Sequence, residues 1–431
     1  MAIIKHTSIG YKREPLAAPF GFKGGYVNTV WHTAVLIKDE NNNEGLGLGV
    51  QSVLWSDSGV FSAFSPSGGN SIMLLMTEYA LKLLHGETLR HPIEILDWLL
   101  PQVYEYGVKI TGIPNMKKTF ALNALVPVDM ALWGLYCKES SIANFDSIVP
   151  EGTKPCLSFR HNKLASIPLI SYGCSVDEIN RLADNGLFFM KIKIGSDPDK
   201  DNSREKMLEW DKMRLSQVHN ALGNRATPYT ADKKIPYYLD ANGRYDTKDR
   251  LMCLLDHADK IGALERIILL EEPFPEEAEI DVADIPLRLV ADESAHCVED
   301  CARLIDMGYS GFAIKPIAKT LSMSFLVLEC VGKAGLPCFC ADLTVHPLMV
   351  DWNKNVAARL KPLPGMDIGA IEVNGHQNYL NWEKMIHQHP MGNAGWVGEK
   401  NGVFELNADF YHHSGGIFQD APYYQDLAVM G

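Results

Sequence analysis

Several short apolar segments in the middle and second half of the chain end in charged residues. These segment ends read Lys191-Ile-Lys193, Asp240-Ala-Asn242, Glu271-Glu-Pro273, Asp292-Glu-Ser294 and Ile314-Lys315. Three carboxylates that converge would repel one another unless a divalent cation lay between them. Ligands that are all oxygen suit Mg²⁺, which keeps positions open for water and substrate. The acids Asp240, Glu271 and Asp292 therefore predict a Mg²⁺ site.

The lysines on either side of these acids indicate acid–base chemistry. Side chains alternate along a strand, so Lys191 and Lys193 share a face, and the first ammonium disfavours charge on the second. A lysine perturbed in this way can act as a base near neutral pH. If Lys193 and Lys315 faced a substrate from opposite sides, proton removal on one face and return on the other would invert a carbon centre. A carboxylate held by a cation would make its α-proton removable, because the cation stabilises the ene-diolate.

Eight apolar runs, each followed by a helical pattern, are the elements that must position these residues. They are Ile167–Gly173, Phe188–Ile194, Ile235–Asp240, Arg266–Glu271, Arg288–Glu293, Gly311–Pro316, Pro337–Asp342 and Met366–Asn374. The runs recur about every 29 residues, which predicts a parallel barrel with its site at the carboxyl ends of the strands. An open doubly wound sheet fits the period too, but Tyr172-Gly-Cys-Ser175 is no phosphate-binding turn. In a barrel the second and sixth strands lie opposite, as two opposed bases require.

The first 140 residues have a different texture. Alternation over Trp31–Lys38, turn residues over Asp39–Gly45 and a return over Leu46–Val50 predict a β-hairpin. Helical periodicity covers Ser71–Leu84, His91–Tyr104 and Phe120–Lys138. We predict an N-terminal α+β capping domain over residues 1–145, a barrel over 146–375, and a C-terminal segment over 376–431 that packs back on the cap.

The order of the motifs resembles that of the enolase superfamily, in particular its muconate lactonizing enzyme-like subgroup in the mandelate racemase/muconate lactonizing enzyme family. That superfamily is itself a known example of chemistry with a lysine base and Mg²⁺. The resemblance covers nearly the whole chain. It implies an α/β fold, a (β/α)7β TIM-type barrel with a capping domain that the C-terminal segment completes.

The resemblance also implies roles for single residues, by motif position. It implies metal ligands at Asp240, Glu271 and Asp292, an opposed acid/base pair at Lys193 and Lys315, and supporting roles for Lys191 and Asn242. The expected activity is that of an isomerase, a racemase or epimerase that removes the proton α to the carboxylate of a small acid through an ene-diolate. The alternatives are a lyase (a sugar-acid dehydratase), a cycloisomerase, or a barrel that binds a metal or ligand without catalysis.

Departures from the family pattern concern the substrate. The seventh run ends in Asp342, where relatives often carry glutamate or histidine, and His346 follows four residues later. A His346 acid would support dehydration of a sugar acid, whereas a structural loop histidine is the competing interpretation. The eighth run ends in Asn374, a further substrate candidate, and lacks the Asp-x-Asp with which dipeptide epimerases hold an amine.

The segment Arg13–Gly25 matches the place of a mobile specificity loop in the family. Its glycines permit movement, and Phe20 and Phe22 are expected to exclude water on closure. Lys23 is the candidate contact for a distal anionic group, with an ordinary exposed loop residue as the alternative.

Composition excludes several classes of function. The chain has 431 residues with 53 acidic and 40 basic side chains, a net charge of −13, which opposes binding to nucleic acid. No targeting segment or apolar run of about 20 residues is evident, so we expect a cytoplasmic protein without membrane contact. The nine cysteines form no disulfide framework, and their spacing matches no common zinc motif. The expected partner is a small-molecule carboxylate, and a symmetric homo-oligomer is only a base-rate expectation.

Overall fold

An antiparallel sheet of three long strands opens the fold. The computed structural model describes residues 2–22 and 25–430. Strands β1 (Ile4–Phe22), β2 (Gly25–Asp39) and β3 (Glu44–Gln51) lie in the order β1-β2-β3. The predicted hairpin is confirmed as β2 and β3, and its turn is held by Asp39, whose carboxylate accepts the N–H groups of Asn41 and Asn43 at 2.8 Å.

The segment expected to be a mobile loop has regular structure instead. Strand β1 continues through it and pairs with β2 as far as Phe22 and Gly25, with an irregularity between Pro15 and Phe20. The expectation of a loop over Arg13–Gly25 was therefore wrong for its described residues, whereas the expected mobility and role in specificity stay predictions. Proline has no N–H to donate to a neighbouring strand. Pairing is therefore interrupted where proline stands, and the strand continues beyond it.

Helices pack against one face of this sheet. They are α1 (Val53–Ser56), α2 (Ser58–Leu84), α3 (Pro92–Thr111) and α4 (Lys118–Glu139), followed by a 3₁₀ turn at Phe145–Ile148. The three predicted helices are confirmed, although α2 begins earlier, with a kink at Ser65 (φ 64°) before Pro66.

Helix α4 is the core helix of the cap. Among the described residues it alone is long and apolar enough to cross a membrane, but 89% of its most apolar stretch is buried inside the fold. Strand β3 lies directly on it: a Cβ on Gly47 would stand 1.8 Å from the carbonyl oxygen of Pro127. Glycine is required at this position of β3 because any side chain would overlap the backbone of the helix.

The second half of the chain forms a closed parallel barrel. Its strands are β4 (Lys163–Ile167), β5 (Leu169–Ile170), β6 (Met190–Lys193), β7 (Tyr237–Asp240), β8 (Ile267–Glu271), β9 (Leu289–Ala291), β10 (Gly311–Ile314), β11 (Cys338–Cys340) and β12 (Gly369–Glu372). Strands β4 and β5 are halves of one strand, interrupted at Pro168. The first half pairs with β12 and the second with β6, so the sheet closes with eight parallel strands.

Helices connect most of the barrel strands. They are α5 (Val176–Asp184), α6 (Arg204–Leu222), α7 (Lys248–Lys260), α8 (Val298–Asp306), α9 (Pro316–Lys319), α10 (Leu321–Lys333) and α11 (Pro347–Ala357), with a 3₁₀ turn at Leu264–Arg266. The connection from β8 to β9, residues 272–288, contains no helix. Pro273, Pro275 and Pro286 fall in it, and proline disfavours a helix interior.

The C-terminal segment contacts both halves of the fold. It contains α12 (Gly375–Asn378), α13 (Trp382–Gln388), β13 (Val403–Glu405), α14 (Ala408–His413), a 3₁₀ turn at Ser414–Gly416 and α15 (Pro422–Val429). Strand β13 pairs antiparallel with β4. Helix α15 lies on β1, where Lys12 Nζ donates to Tyr423 Oη at 3.1 Å. The domain limits at residues 145 and 375 stay predictions.

Candidate active site

A cleft lies where the carboxyl ends of the barrel strands meet the cap, with about 840 Å³ of open space. Its barrel side carries lysines and carboxylates. Its cap side is mostly apolar and includes Leu16, Phe20, Val27, Val30, Leu54 and Trp55. A concave site with a few charged groups on one wall and apolar side chains on the other is typical of a small-molecule site.

Lys191 joins carboxylates from three strands. Its Nζ lies 2.9 Å from both Asp240 and Glu271 and 3.3 Å from Glu372. It also lies over the ring of Tyr238, 5.1 Å from the centroid. Burial disfavours the charged ammonium, but the carboxylates outweigh burial and raise the pKa of Lys191 well above its usual value.

Lys193 lies on the same face of β6 as Lys191. The two ammonium groups share one oxygen of Asp240, Oδ2, at 2.6 Å from Lys193 and 2.9 Å from Lys191. Burial raises the pKa of the Asp240 carboxyl, but the two lysines outweigh it and hold that pKa below its usual value. For Glu271, burial and the adjacent Asp240 act together and raise the pKa well above the usual value.

Lys315 stands on the other side of the carboxylates. It follows β10, the sixth strand of the barrel, whereas Lys193 ends β6, the second. Its Nζ donates to Asp292 and lies 4.6 Å from the ring centroid of Trp55. Burial lowers the pKa of Lys315, but Asp292 together with Glu293 and Glu271 outweighs burial and leaves it raised. In a closed barrel of eight strands, Lys193 and Lys315 therefore face the carboxylates from opposite sides.

The carboxylates include a group that fits a hard divalent cation. Glu271, Asp292 and Glu293 each place an oxygen within 4.8 Å of the others, and all three are buried. Among the described residues, Asp292 Oδ1 has no hydrogen-bond partner. Oxygen donors of this kind suit Mg²⁺. Two acids of this group, Glu271 and Asp292, are predicted ligands. The third is Glu293, whereas the predicted third ligand, Asp240, forms ion pairs with Lys191 and Lys193.

Asn242 connects the two sets. Its Oδ1 accepts from Lys193, and its Nδ2 donates to Glu293 Oε1 at 3.1 Å. The residue has a φ of 44°, a left-handed conformation that asparagine adopts more readily than most residues. Asn242 thus holds Lys193 and Glu293 in one network, a placement consistent with the supporting role that the resemblance implied.

The predicted substrate contacts Asp342 and Asn374 lie together in the cleft. Asp342 Oδ2 accepts the Asn374 N–H at 2.7 Å, and Thr344 Oγ1 donates to Asn374 Oδ1 at 2.7 Å. Burial, with the nearby Glu372, raises the pKa of Asp342 to about 7. These residues end β11 and β12, so they form a separate group from the carboxylates of β7 to β9.

Glu372 and Trp55 are among the residues of the cleft that the sequence reasoning missed, as is Glu293. Glu372 contacts Lys191 and accepts the Asp342 N–H at 3.1 Å. Its signal was available, because alternation puts Glu372 on the same face as Asn374, two positions later. Trp55 comes from α1 in the cap, and no local pattern relates it to a lysine 260 residues later in the chain.

His346 and Lys23 are not part of the described cleft. The His346 ring stacks on Tyr424 with centroids 4.8 Å apart and lies 5.2 Å from the ring of His32. Burial lowers the pKa of His346 well below its usual value. His346 therefore packs among aromatic rings and does not line the cleft, and both interpretations of its role stay predictions. Lys23 lies outside the described residues.

Solved structures described as a mandelate racemase/muconate lactonizing protein or as epimerases share this architecture. A mandelate racemase/muconate lactonizing protein from Herpetosiphon aurantiacus is 18% identical, with a TM-score of 0.66 and coverage of 95% of this chain and 97% of the other. A dipeptide epimerase from Enterococcus faecalis, complexed with Mg and L-Leu-L-Tyr, is 16% identical, with a TM-score of 0.63 and coverage of 94% and 97%. The L-Ala-D/L-Glu epimerase from Bacillus subtilis is 15% identical, with a TM-score of 0.64 and coverage of 94% and 96%.

The likeness lies in structure and not in readily matched sequence. No protein-family model and no curated protein matches the chain. Identities of 15–18% over nearly full length establish a common fold and leave the reaction to be argued from the site. The chain has the barrel and cap of the mandelate racemase/muconate lactonizing enzyme fold of the enolase superfamily.

Proposed function

We propose that this protein is a Mg²⁺-dependent enzyme that removes the proton α to the carboxylate of a small acid and returns it, as a racemase or epimerase. The observation that carries the proposal is the placement of Lys193 and Lys315 on opposed strands, each against a buried carboxylate of one central cluster. Two bases on opposite sides of a bound carbon are what inversion requires. The epimerases among proteins of similar fold add support.

Asp240, Glu271 and Asp292 are the residues proposed to hold Mg²⁺, with Glu293 beside them. When bound, the ion would draw electron density from the substrate's carboxylate and so favour loss of the α-proton. The oxygen-only donor set supports this assignment, as does Asp292 Oδ1, which accepts no hydrogen bond within the described residues and has Lys319 Nζ 3.7 Å away. Lys191 would direct a fixed positive charge towards the same carboxylate.

The proton itself would move between the two lysines and the substrate. Lys193 Nζ would take it from one face of the α-carbon, and Lys315 Nζ would supply one to the other face. The cap would exclude water, since Phe20 and Trp55 cover the side of the cleft opposite the barrel. Exclusion of water strengthens the ion pairs within the site and keeps the proton between the two lysines.

The test is deuterium incorporation at the α-carbon in D₂O, with Mg²⁺ present, over a panel of acid sugars, N-acyl amino acids and dipeptides. The wild-type chain is expected to exchange at least one member. Lys193→Ala and Lys315→Ala should each lower racemisation by roughly 10²–10⁴-fold, the usual contribution of an acid–base group. Lys206→Ala, at an exposed lysine of α6 that contacts Asp199 and Asp201, is the matched control and should keep full activity.

The outcomes separate the remaining interpretations. Racemisation that survives in either lysine variant contradicts the two-base assignment, whereas exchange without inversion, confined to the configuration that faces the remaining lysine, agrees with it. Mg²⁺ binding without exchange of any panel member favours a non-catalytic binding barrel. A keto-acid product or a change in ultraviolet absorbance identifies a lyase or cycloisomerase in place of a racemase.

A further inference from the structure

Asp342 presents a buried acceptor that the protein itself does not satisfy. One oxygen, Oδ2, accepts the Asn374 N–H, while Oδ1 is buried and has no hydrogen-bond partner within the described ranges. The residue is 5% exposed and lines the cleft. A buried carboxylate oxygen without a donor is unfavourable, and buried polar groups in native proteins are nearly always paired. The donor is therefore expected from the ligand.

The charges of the cleft indicate that this donor is cationic. Its described lining contains six carboxylates, of Asp240, Glu271, Asp292, Glu293, Asp342 and Glu372, and three lysines, Lys191, Lys193 and Lys315. The formal excess is three negative charges. A divalent cation reduces the excess to one, and a substrate carboxylate raises it again. An ammonium group on the same substrate offsets that addition, whereas a hydroxyl group does not.

Neighbouring groups agree with a cation at this position. Burial and Glu372 raise the pKa of Asp342, and the N–H groups of Asn374 and Leu343 and the charge of Lys315 offset this only in part. A positive charge beside the carboxylate acts in the same sense as Lys315. Lys191 contacts Glu372 but not Asp342, and its ammonium is already shared among three carboxylates. No described lysine or arginine forms an ion pair with Asp342 within 4 Å.

The opposite wall of the cleft limits the rest of the ligand. Its described cap residues are apolar or neutral: Leu16, Phe20, Val30 and Leu54 are apolar, and Thr29 and Gln51 are uncharged. The apolar part of this wall stabilises an apolar group.

We infer that Asp342 is a specificity-determining residue that binds a protonated amine, so that the substrate is an aminocarboxylate with an apolar group. The inference rests on the proposed function for the placement of the carboxylate. The amine would be held at the end of β11, by an acid that lies on a different strand from the Asp-x-Asp motif that the eighth barrel strand lacks. This assigns the ligand's charge at both ends: an anionic end at the lysines and cation site, and a cationic end at Asp342.

The experiment compares ligands that differ only in the amine. Apolar dipeptides and apolar amino acids, each with its N-acetyl derivative, are titrated into the full chain with Mg²⁺, and binding is measured by calorimetry alongside α-proton exchange. The free amine should bind about tenfold tighter or more, as expected for a charge-assisted hydrogen bond. Asp342→Asn keeps an acceptor for the Asn374 N–H and should bring that ratio close to one.

A matched control separates recognition from folding. Asp367→Asn makes the same change at an exposed carboxylate just before β12, and it should keep the wild-type ratio. A merely structural role for Asp342 would weaken both members of each pair equally and leave the ratio unchanged. The ratio of the two affinities is therefore the decisive readout.

Three results would overturn the assignment of Asp342. They are equal or tighter binding of the N-acetyl members to the wild type, an unchanged ratio in Asp342→Asn, and failure of every amine-bearing member to bind. Binding that depends on the amine, without α-proton exchange, would refute the proposed function and leave this assignment standing. Exchange confined to N-acetyl or hydroxy acids would refute the assignment and leave the proposed function standing.

Discussion

Lys191 is the residue on which the buried charges of three strands depend. It contacts Asp240 of β7, Glu271 of β8 and Glu372 of β12. Lys191→Met would leave these buried carboxylates without their shared ammonium, and removal of one partner from a buried ion pair costs about 3–5 kcal/mol. We expect a loss of that order in the free energy of unfolding, measured by urea denaturation in EDTA.

The comparison for that variant is a lysine with similar partners at the surface. Lys206 also contacts two carboxylates, of Asp199 and Asp201, but it is exposed. Exposed ion pairs contribute little to stability, so Lys206→Met should unfold at nearly the wild-type urea concentration. Equal stability of Lys191→Met and Lys206→Met would show that Lys191 does not compensate the buried carboxylates.

Sequence and structure differ on which acid is the third metal ligand. The motif order selects Asp240, whereas the three acids that each place an oxygen within 4.8 Å of the others are Glu271, Asp292 and Glu293. We predict that Asp240→Asn, Glu271→Gln and Asp292→Asn each abolish measurable Mg²⁺ binding in calorimetry. Glu293→Gln should weaken it by roughly 10–100-fold, as changes to groups beside a ligand usually do. Binding retained by Asp240→Asn and lost by Glu293→Gln would place the ion in the other set.

Single residues of the barrel side could be predicted because each ends an apolar run. A charged residue that follows a buried strand has few places to go except the carboxyl end of the barrel, which is why Lys193 and Lys315 were recognisable. Residues of the cap side, such as Trp55, could not be predicted in this way. Their place in the cleft depends on how the cap docks on the barrel, and no periodicity within the chain encodes that docking.

At the scale of elements, the junction between α4 and α10 makes stability depend on pH. Asp129 of α4 accepts hydrogen bonds from the N–H groups of Leu321 and Ser322 at the start of α10 and from the Ser322 hydroxyl. Burial raises the pKa of Asp129 to about 6, although these hydrogen bonds lower it. Between about pH 4 and pH 6 the folded state therefore holds a proton on Asp129 that the unfolded state, with an aspartate pKa of about 4, has already released.

The sign of the dependence follows from that difference. The stabilising contribution of Asp129 is complete below about pH 4 and is lost as pH rises through about 6. Asp129→Asn keeps an acceptor and does not titrate. The free energy of unfolding of the variant minus that of the wild type should rise between pH 4 and 7, by up to about 3 kcal/mol. Urea denaturation at several pH values measures it, and a constant difference would contradict the raised pKa.

Elements were easier to predict than their limits. The eight apolar runs became the eight barrel strands, because a strand buried on both faces has a continuous apolar sequence. The first strand nevertheless begins at Lys163, before the predicted start at Ile167, and is interrupted at Pro168. The strand through Arg13–Phe22 was predicted as a loop from the resemblance to the family, and in the structure it pairs with β2.

At the scale of the whole molecule, the C-terminal helix joins the cap to the barrel. Tyr424 of α15 lies against His346, which begins α11 of the barrel, while Tyr423 contacts Lys12 of β1. Since β1 also carries Leu16 and Phe20 into the cleft, the position of α15 affects the wall that covers the substrate. The aromatic residues near the C-terminus predicted packing on the cap, but only the three-dimensional structure connects that packing with the site.

A single methyl group tests this connection. A Cβ at Gly10 of β1 would stand 1.8 Å from the carbonyl oxygen of Leu427 in α15, an overlap of backbone with side chain that neither element can avoid by a rotamer change. Overpacking of this kind costs about 1–3 kcal/mol, so Gly10→Ala should lower the Tm and displace α15 from the cap. Gly173→Ala adds the same methyl group where no atom lies within 4 Å and should leave the Tm unchanged. Because β1 lines the cleft, Gly10→Ala should also weaken ligand binding in the calorimetric assay, whereas a lower Tm with unchanged binding would show that α15 stabilises the cap without shaping the cleft.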